Sequence, residues 1–144
     1  MTTTLDNLKS LHTSIVDTLH GYEGALKQEP QSELAPVFRR MSALHLSASD
    51  ELSKLLAGMG EPVDADGSFM STVHRAVIDL RSMVTGLGHA VLPSFASGEE
   101  RNLKAYETAL ETNADDSRLM SALEAQRERL QAAVAEIRRL ESVA

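Results

Sequence analysis

Apolar residues recur every three or four positions through most of this chain, and at a few places the repeat lands on a polar residue instead. In the first stretch Leu5, Leu8, Ile15, Leu19, Tyr22 and Leu26 keep that spacing, with His12 as the step out of pattern. A second stretch reads Leu34, Phe38, Met41, His45, Ala48, Leu52, Leu55 and Met59, again with one histidine in the seam. A third carries Leu92, Ala96, Glu99, Leu103, Tyr106 and Leu110, and a last one Leu119, Leu123, Gln126, Leu130, Ala133, Ile137 and Leu140. Spacing of this kind lines up side chains on one face of a helix, so the pattern predicts an all-α protein of long amphipathic helices.

The breaks between these stretches set the connectivity. The first helix is expected to start after Thr3 or Thr4, either of which can cap it, and to run to about Lys27. The break from Gln28 to Gln31 is short enough to force the second helix back antiparallel, with Ser32 as a candidate cap and Pro36 tolerated in the first turn. From Gly58 to Gly67 the chain is rich in Gly, Pro and Asp and lacks periodicity, as a linker does. A shorter amphipathic segment follows from Ser68 to about Thr85, with Met70, Val73, Val77, Leu80 and Val84 on one face, and Gly86 and Gly88 break it. A further helix then runs to about Thr112, and a turn at Asn113 to Asp116 starts the last one. The expected architecture is two antiparallel helical hairpins joined by a long crossover that holds an additional helix. This is a four-helix bundle forming a single domain over residues 1–144.

Where the polar seam residues fall decides whether they matter. With helix midpoints at about residues 16, 45, 99 and 129, Ile15, His45 and Glu99 come to a common height, and His12 and Gln126 lie within about one turn of it at roughly 1.5 Å of rise per residue. A buried carboxylate costs several kcal/mol unless it is paired, so Glu99 needs a cation, a metal or a hydrogen-bond donor. His45 is the nearest candidate. A second frame is open for Glu99, because Ser97-x-x-Glu100 is a capping-box pattern, and a helix starting at Ser97 would leave Glu99 solvated in its first turn. Leu92 and Ala96, which continue the seam upstream, oppose that frame. His12 and His45 also read as ordinary core histidines satisfied by one hydrogen bond, and Tyr22 and Tyr106 as core residues whose hydroxyls reach a partner.

Composition narrows the chemistry. With 3% aromatic residues and no Trp among 42% hydrophobic ones, the core must be built from aliphatic side chains. The formal net charge of −7 argues against nucleic acid or an anionic membrane as the main partner, since either would need a concentrated basic face. The paired arginines at Arg39–Arg40 and Arg138–Arg139 do not supply one, because acids flank both pairs. The lack of cysteine leaves His, Asp, Glu and Gln as ligands for any metal. MTTTLDNLKS has no basic region followed by an apolar run, and no stretch approaches about 18 uninterrupted apolar residues, so the expectation is a soluble, cytoplasmic protein. No phosphate-binding glycine loop, nucleophile elbow or Ser/His/Asp arrangement points to a small-molecule substrate.

Three segments carry a resemblance: Gly21, Tyr22 and Glu23 near the end of the first helix, the stretch from His74 to Gly86, and the residues around Glu99 and Tyr106. Through them the chain resembles, over nearly its whole length, the ferritin-like superfamily. More specifically it is similar to an uncharacterised bacterial family of stand-alone ferritin-like four-helix proteins of unknown function. Ferritin-like di-iron proteins take a glutamate from each of two helices and a Glu-x-x-His from each of the other two. Against that pattern Glu99 with Tyr106 matches the single-glutamate helix, and His45 matches a ligand histidine. Ile15 stands seven before Tyr22 where the other glutamate would be, unless Glu23 or His12 compensates. Ser42 stands where the glutamate before His45 would be, and Glu124-x-x-Arg127 replaces an imidazole with a guanidinium.

Together these observations imply a non-enzymatic structural or interaction protein, stress-related by analogy alone, with a degenerate metal layer of His12, His45, Glu99 and Gln126. The alternative is a simplified site in which His45 and Glu99 hold one iron or other divalent metal and do weak redox or storage chemistry. Self-association is the expected partnership, from apolar residues off the main seams that include Leu11, Val16, Leu46, Leu56, Ile78 and Met120.

Overall fold

The computed structural model describes residues 4–29, 31–60, 91–113 and 115–142. Among them lie four helices and no strand: α1 (Thr4–Gln28), α2 (Ala35–Gly58), α3 (Leu92–Thr112) and α4 (Ser117–Ser142). The expected linker beyond Gly60, the segment Ser68 to Thr85 and the additional crossover helix fall on residues 61–90, outside the described part.

Each helix begins and ends where its local chemistry allows. Pro36 and Pro93 sit in the first turns of α2 and α3, where a missing N–H removes no helical bond. Ser32 lies before the helix rather than capping it: α2 begins at Ala35, and the Ser32 hydroxyl accepts from the Leu34 amide at 3.2 Å in the turn that precedes it. The cap of α4 is Asp116, whose carboxylate accepts from the Leu119 amide at 3.1 Å. At the end of α2 the chain turns through Gly60 at φ 84°, a left-handed conformation that costs glycine little, while the Met59 and Gly60 amides cover the last carbonyls.

Cross-links fix the arrangement of the helices. Tyr22 packs on Phe38 and His12 bonds the backbone of Ser49, so α1 and α2 run antiparallel. Tyr106 bonds Gln126 and Glu100 bonds Arg138, giving the same relation between α3 and α4. Asn7 to Thr112 and Ser14 to Asn102 tie α1 antiparallel to α3, and Arg40 to Glu136 and Gln126 to Glu51 tie α2 antiparallel to α4. The helices therefore form a four-cornered bundle with α2 and α3 diagonal to each other. The end of α2 lies at the end of the bundle where α1 starts, and α3 begins at the opposite end, beside Tyr22.

One apolar cluster fills the centre. It takes Leu8, Leu11 and Ile15 from α1, Phe38 and Leu52 from α2, Phe95 and Ala96 from α3, and Leu123, Leu130 and Ile137 from α4. The seams read from spacing are the faces that point inward, with two adjustments. Val134 rather than Ala133 is the buried step of α4, and Leu56 is buried more deeply than Leu55. Leu11 and Leu56, expected outside the seams as material for self-association, are 0% exposed and belong to the core. Leu46, at 59% exposure, stays outside. None of the described helices is long and apolar enough to cross a membrane.

Candidate functional site

α3 starts at Leu92, five residues before Ser97, so Glu99 lies in the third turn and its side chain is carried into the core rather than left in a solvated first turn. It is 0% exposed, which rules out the capping-box frame. Two donors converge on one of its oxygens: the Tyr22 hydroxyl from α1 and His45 Nε2 from α2, each 2.7 Å from Glu99 Oε2. A third, Asn102 Nδ2, donates to Oε1 at 2.8 Å. A carboxylate only accepts, so Nε2 is the nitrogen of His45 that carries the proton. The other, Nδ1, is buried with no hydrogen-bond partner among the described residues.

Asn102 is itself held in place. Its Oδ1 accepts from the Ser14 hydroxyl at 2.5 Å, and its Nδ2 also donates to Thr18 Oγ1 at 2.9 Å. Thr18 in turn donates to the Ser14 carbonyl at 2.9 Å. Acceptance on one side and donation on the other fix which way the amide faces, and so keep an N–H directed at Glu99. On the other flank Tyr22 is walled by rings. Phe95 stacks on it at a centroid distance of 4.7 Å, Phe38 meets it edge-on at 5.1 Å, and the His45 imidazole lies nearly parallel at 5.9 Å. Tyr22, Phe38 and Phe95 are thus gathered against the buried acid, where they keep bulk water away and strengthen each hydrogen bond.

Of the four residues expected in one polar layer, all are buried, at 0 to 5% exposure, but only His45 and Glu99 meet. Gln126 accepts from Tyr106 at 2.8 Å and donates to Glu51 at 2.5 Å, forming a separate chain that leads outward. Tyr106 lies seven residues beyond Glu99, about 10 Å along the helix, and this offset is why the two chains do not merge. His12 bonds the backbone of Ser49, and burial holds its imidazole below the ordinary 6.5 against the opposite pull of that bond. Asn102, Ser14 and Thr18 do not emerge from the apolar repeat, because they sit on its edge. The available signal was Asn102 itself, an amide one turn after the acid on the same face.

Burial raises both phenols well above their ordinary 10.0, and the nearby charge of Glu99 adds to the effect. The folded chain therefore holds phenolic protons that the unfolded chain releases. The contribution is fully present below about pH 10 and is lost as pH rises beyond it. Since Tyr22 and Tyr106 are the only tyrosines and there is no Trp, ultraviolet absorbance reads them cleanly. Phenolate absorbance is expected to rise together with loss of helical circular dichroism above pH 10. A phenol that titrates near its ordinary value while the helices persist would contradict the geometry.

Chemically, the arrangement is a buried carboxylate whose two oxygens are engaged by protein donors, enclosed by rings. Among the described residues no group of three or more His, Asp or Glu side chains converges as a metal would require. Comparison with curated proteins and with solved structures returned no match. A family model does match, over residues 3–113, a span that holds α1, α2 and α3 with Tyr22, His45, Glu99 and Asn102 and stops short of α4. By that match, the chain that carries this buried glutamate belongs to the family described as Domain of unknown function (DUF2383).

Proposed function

We propose that this chain is a non-enzymatic, cytoplasmic structural or interaction protein on a ferritin-like bundle, in which a hydrogen-bonded core has taken the place of a metal layer. The observation that carries this reading is that Glu99 is saturated by Tyr22, His45 and Asn102. The fold type implied by the resemblance would use six ligands, and the residues present do not fit them. Ile15 is an aliphatic core residue where a glutamate would stand, and Glu23 and Glu124 are exposed and point away from the interior. Ser42 supplies only a hydroxyl. Arg127 brings a guanidinium that cannot ligate, with its Nε buried and without a partner among the described residues. His45 Nε2 and Glu99 Oε2 face each other at hydrogen-bond distance, which leaves no lone pair on that nitrogen for an ion.

The alternative, one iron or other divalent metal on His45 and Glu99 with weak redox or storage chemistry, draws on the fact that these two side chains do meet. Metal analysis of protein purified without chelator, repeated for His45→Ala and Glu99→Ala, separates the two readings. Substoichiometric metal that neither change alters is the expected result. One equivalent lost in both variants would establish the metal protein instead.

Self-association is the interaction expected of such a scaffold, and Leu46 is, among the described residues, the large apolar side chain most open to it. Light scattering at high concentration tests it. A strict monomer would leave the scaffold reading without a partner of its own kind.

A further inference from the structure

The second nitrogen of His45 is out of keeping with the rest of the core. Every other member of the Glu99 cluster is satisfied, yet His45 Nδ1 is buried and has no hydrogen-bond partner among the described residues. One turn earlier on α2, the hydroxyl oxygen of Ser42 is buried and lacks a partner in the same way. Helical hydroxyls elsewhere in the chain bond back to their own backbone: Thr18 to Ser14, Ser49 to Leu46 and Thr108 to Lys104, at 2.9, 2.9 and 3.1 Å. Ser42 does not, so its hydroxyl is free to serve something else. Side chains on a helix lean toward its N-terminus and cover the turn three or four residues before them, and Ser42 lies in that turn, three residues before His45 on the same face of α2.

We propose that Ser42 and His45 Nδ1 hold one buried water molecule, which completes the hydrogen bonding of the Glu99 cluster. The chemistry matches a water and not a cation. With Nε2–H donating to Glu99, Nδ1 is an acceptor, and the hydroxyl of Ser42 can donate. A molecule that donates to one and accepts from the other satisfies both, while two neutral donor atoms are too few for a metal. Ser42 is only partly buried as a residue, so the pair lies between the core and the surface.

The test is nitrogen NMR on the intact, isotope-labelled chain. The wild type is expected to carry its imidazole proton on Nε2, with Nδ1 unprotonated but shifted as a hydrogen-bonded acceptor, and to show cross-relaxation between the His45 ring and a long-lived water. Ser42→Val, which fills the space, should return Nδ1 to the signature of a bare lone pair. Ser42→Ala, which keeps the space and loses one partner, should fall between. A wild-type Nδ1 that is bare or protonated overturns the proposal even if no variant folds, and so does a Ser42→Val protein with both signals unchanged.

Discussion

Glu99→Ala is expected to destabilise the protein by about 3–5 kcal/mol, because it strands three buried donors, at about 1–3 kcal/mol for each one left unsatisfied, and opens a cavity among them. The loss is not the worth of three hydrogen bonds. Tyr22, His45 and Asn102 would each be left with an N–H or O–H aimed at the space the carboxylate had filled, deep in the core. Glu99→Gln keeps the volume and one good acceptor but turns an N–H toward the remaining donors, so it should cost less, about 1–3 kcal/mol. Urea unfolding reads both as a lower midpoint at unchanged slope. His45→Ala combined with Glu99→Ala should be markedly less damaging than the sum of the two, because the second change removes the group that the first had stranded. A loss under about 1 kcal/mol for Glu99→Ala would mean that water reaches the carboxylate, and would sink the account of it as a sealed core acid.

That Glu99 is buried was legible in the sequence, because Leu92 and Ala96 set the frame upstream of it and period counting needs nothing else. The same counting found the inward faces of all four helices, and short breaks forced the two antiparallel hairpins. What period counting cannot read is which polar side chains share a height. Residue offsets place His45 opposite Glu99 correctly, yet they also gathered in Gln126, which lies with Tyr106 some two turns along. Side-chain length and lean shift a contact by a turn, and a sum of residue numbers does not carry that information. Asn102, Ser14 and Thr18 were missed for a different reason. They line the edge where α1 meets α3, and an edge position is polar whether it bonds a core acid or water.

Tyr22→Ala is expected to be about as costly as the loss of the acid, about 3–5 kcal/mol, because it opens a cavity at the centre of the aromatic cluster. Phe95 and Phe38 would each lose the Tyr22 ring they pack on, at 4.7 and 5.1 Å, while their own ring contact at 4.7 Å remains. Tyr22→Phe divides this total. It keeps the ring and its neighbours and removes only the hydroxyl, leaving Glu99 with His45 and Asn102 as donors, so a loss of about 1–3 kcal/mol is expected. The difference between the two variants isolates packing from hydrogen bonding at a single residue. If the phenylalanine variant matched the wild type in its urea midpoint, the 2.7 Å contact to Glu99 would contribute nothing net. The acid would then rest on His45 and Asn102 alone, and Glu99→Ala should be no less costly when placed in the Tyr22→Phe background. If instead the hydroxyl matters as the geometry indicates, the two changes are coupled, and Glu99→Ala should cost less once that donor is gone.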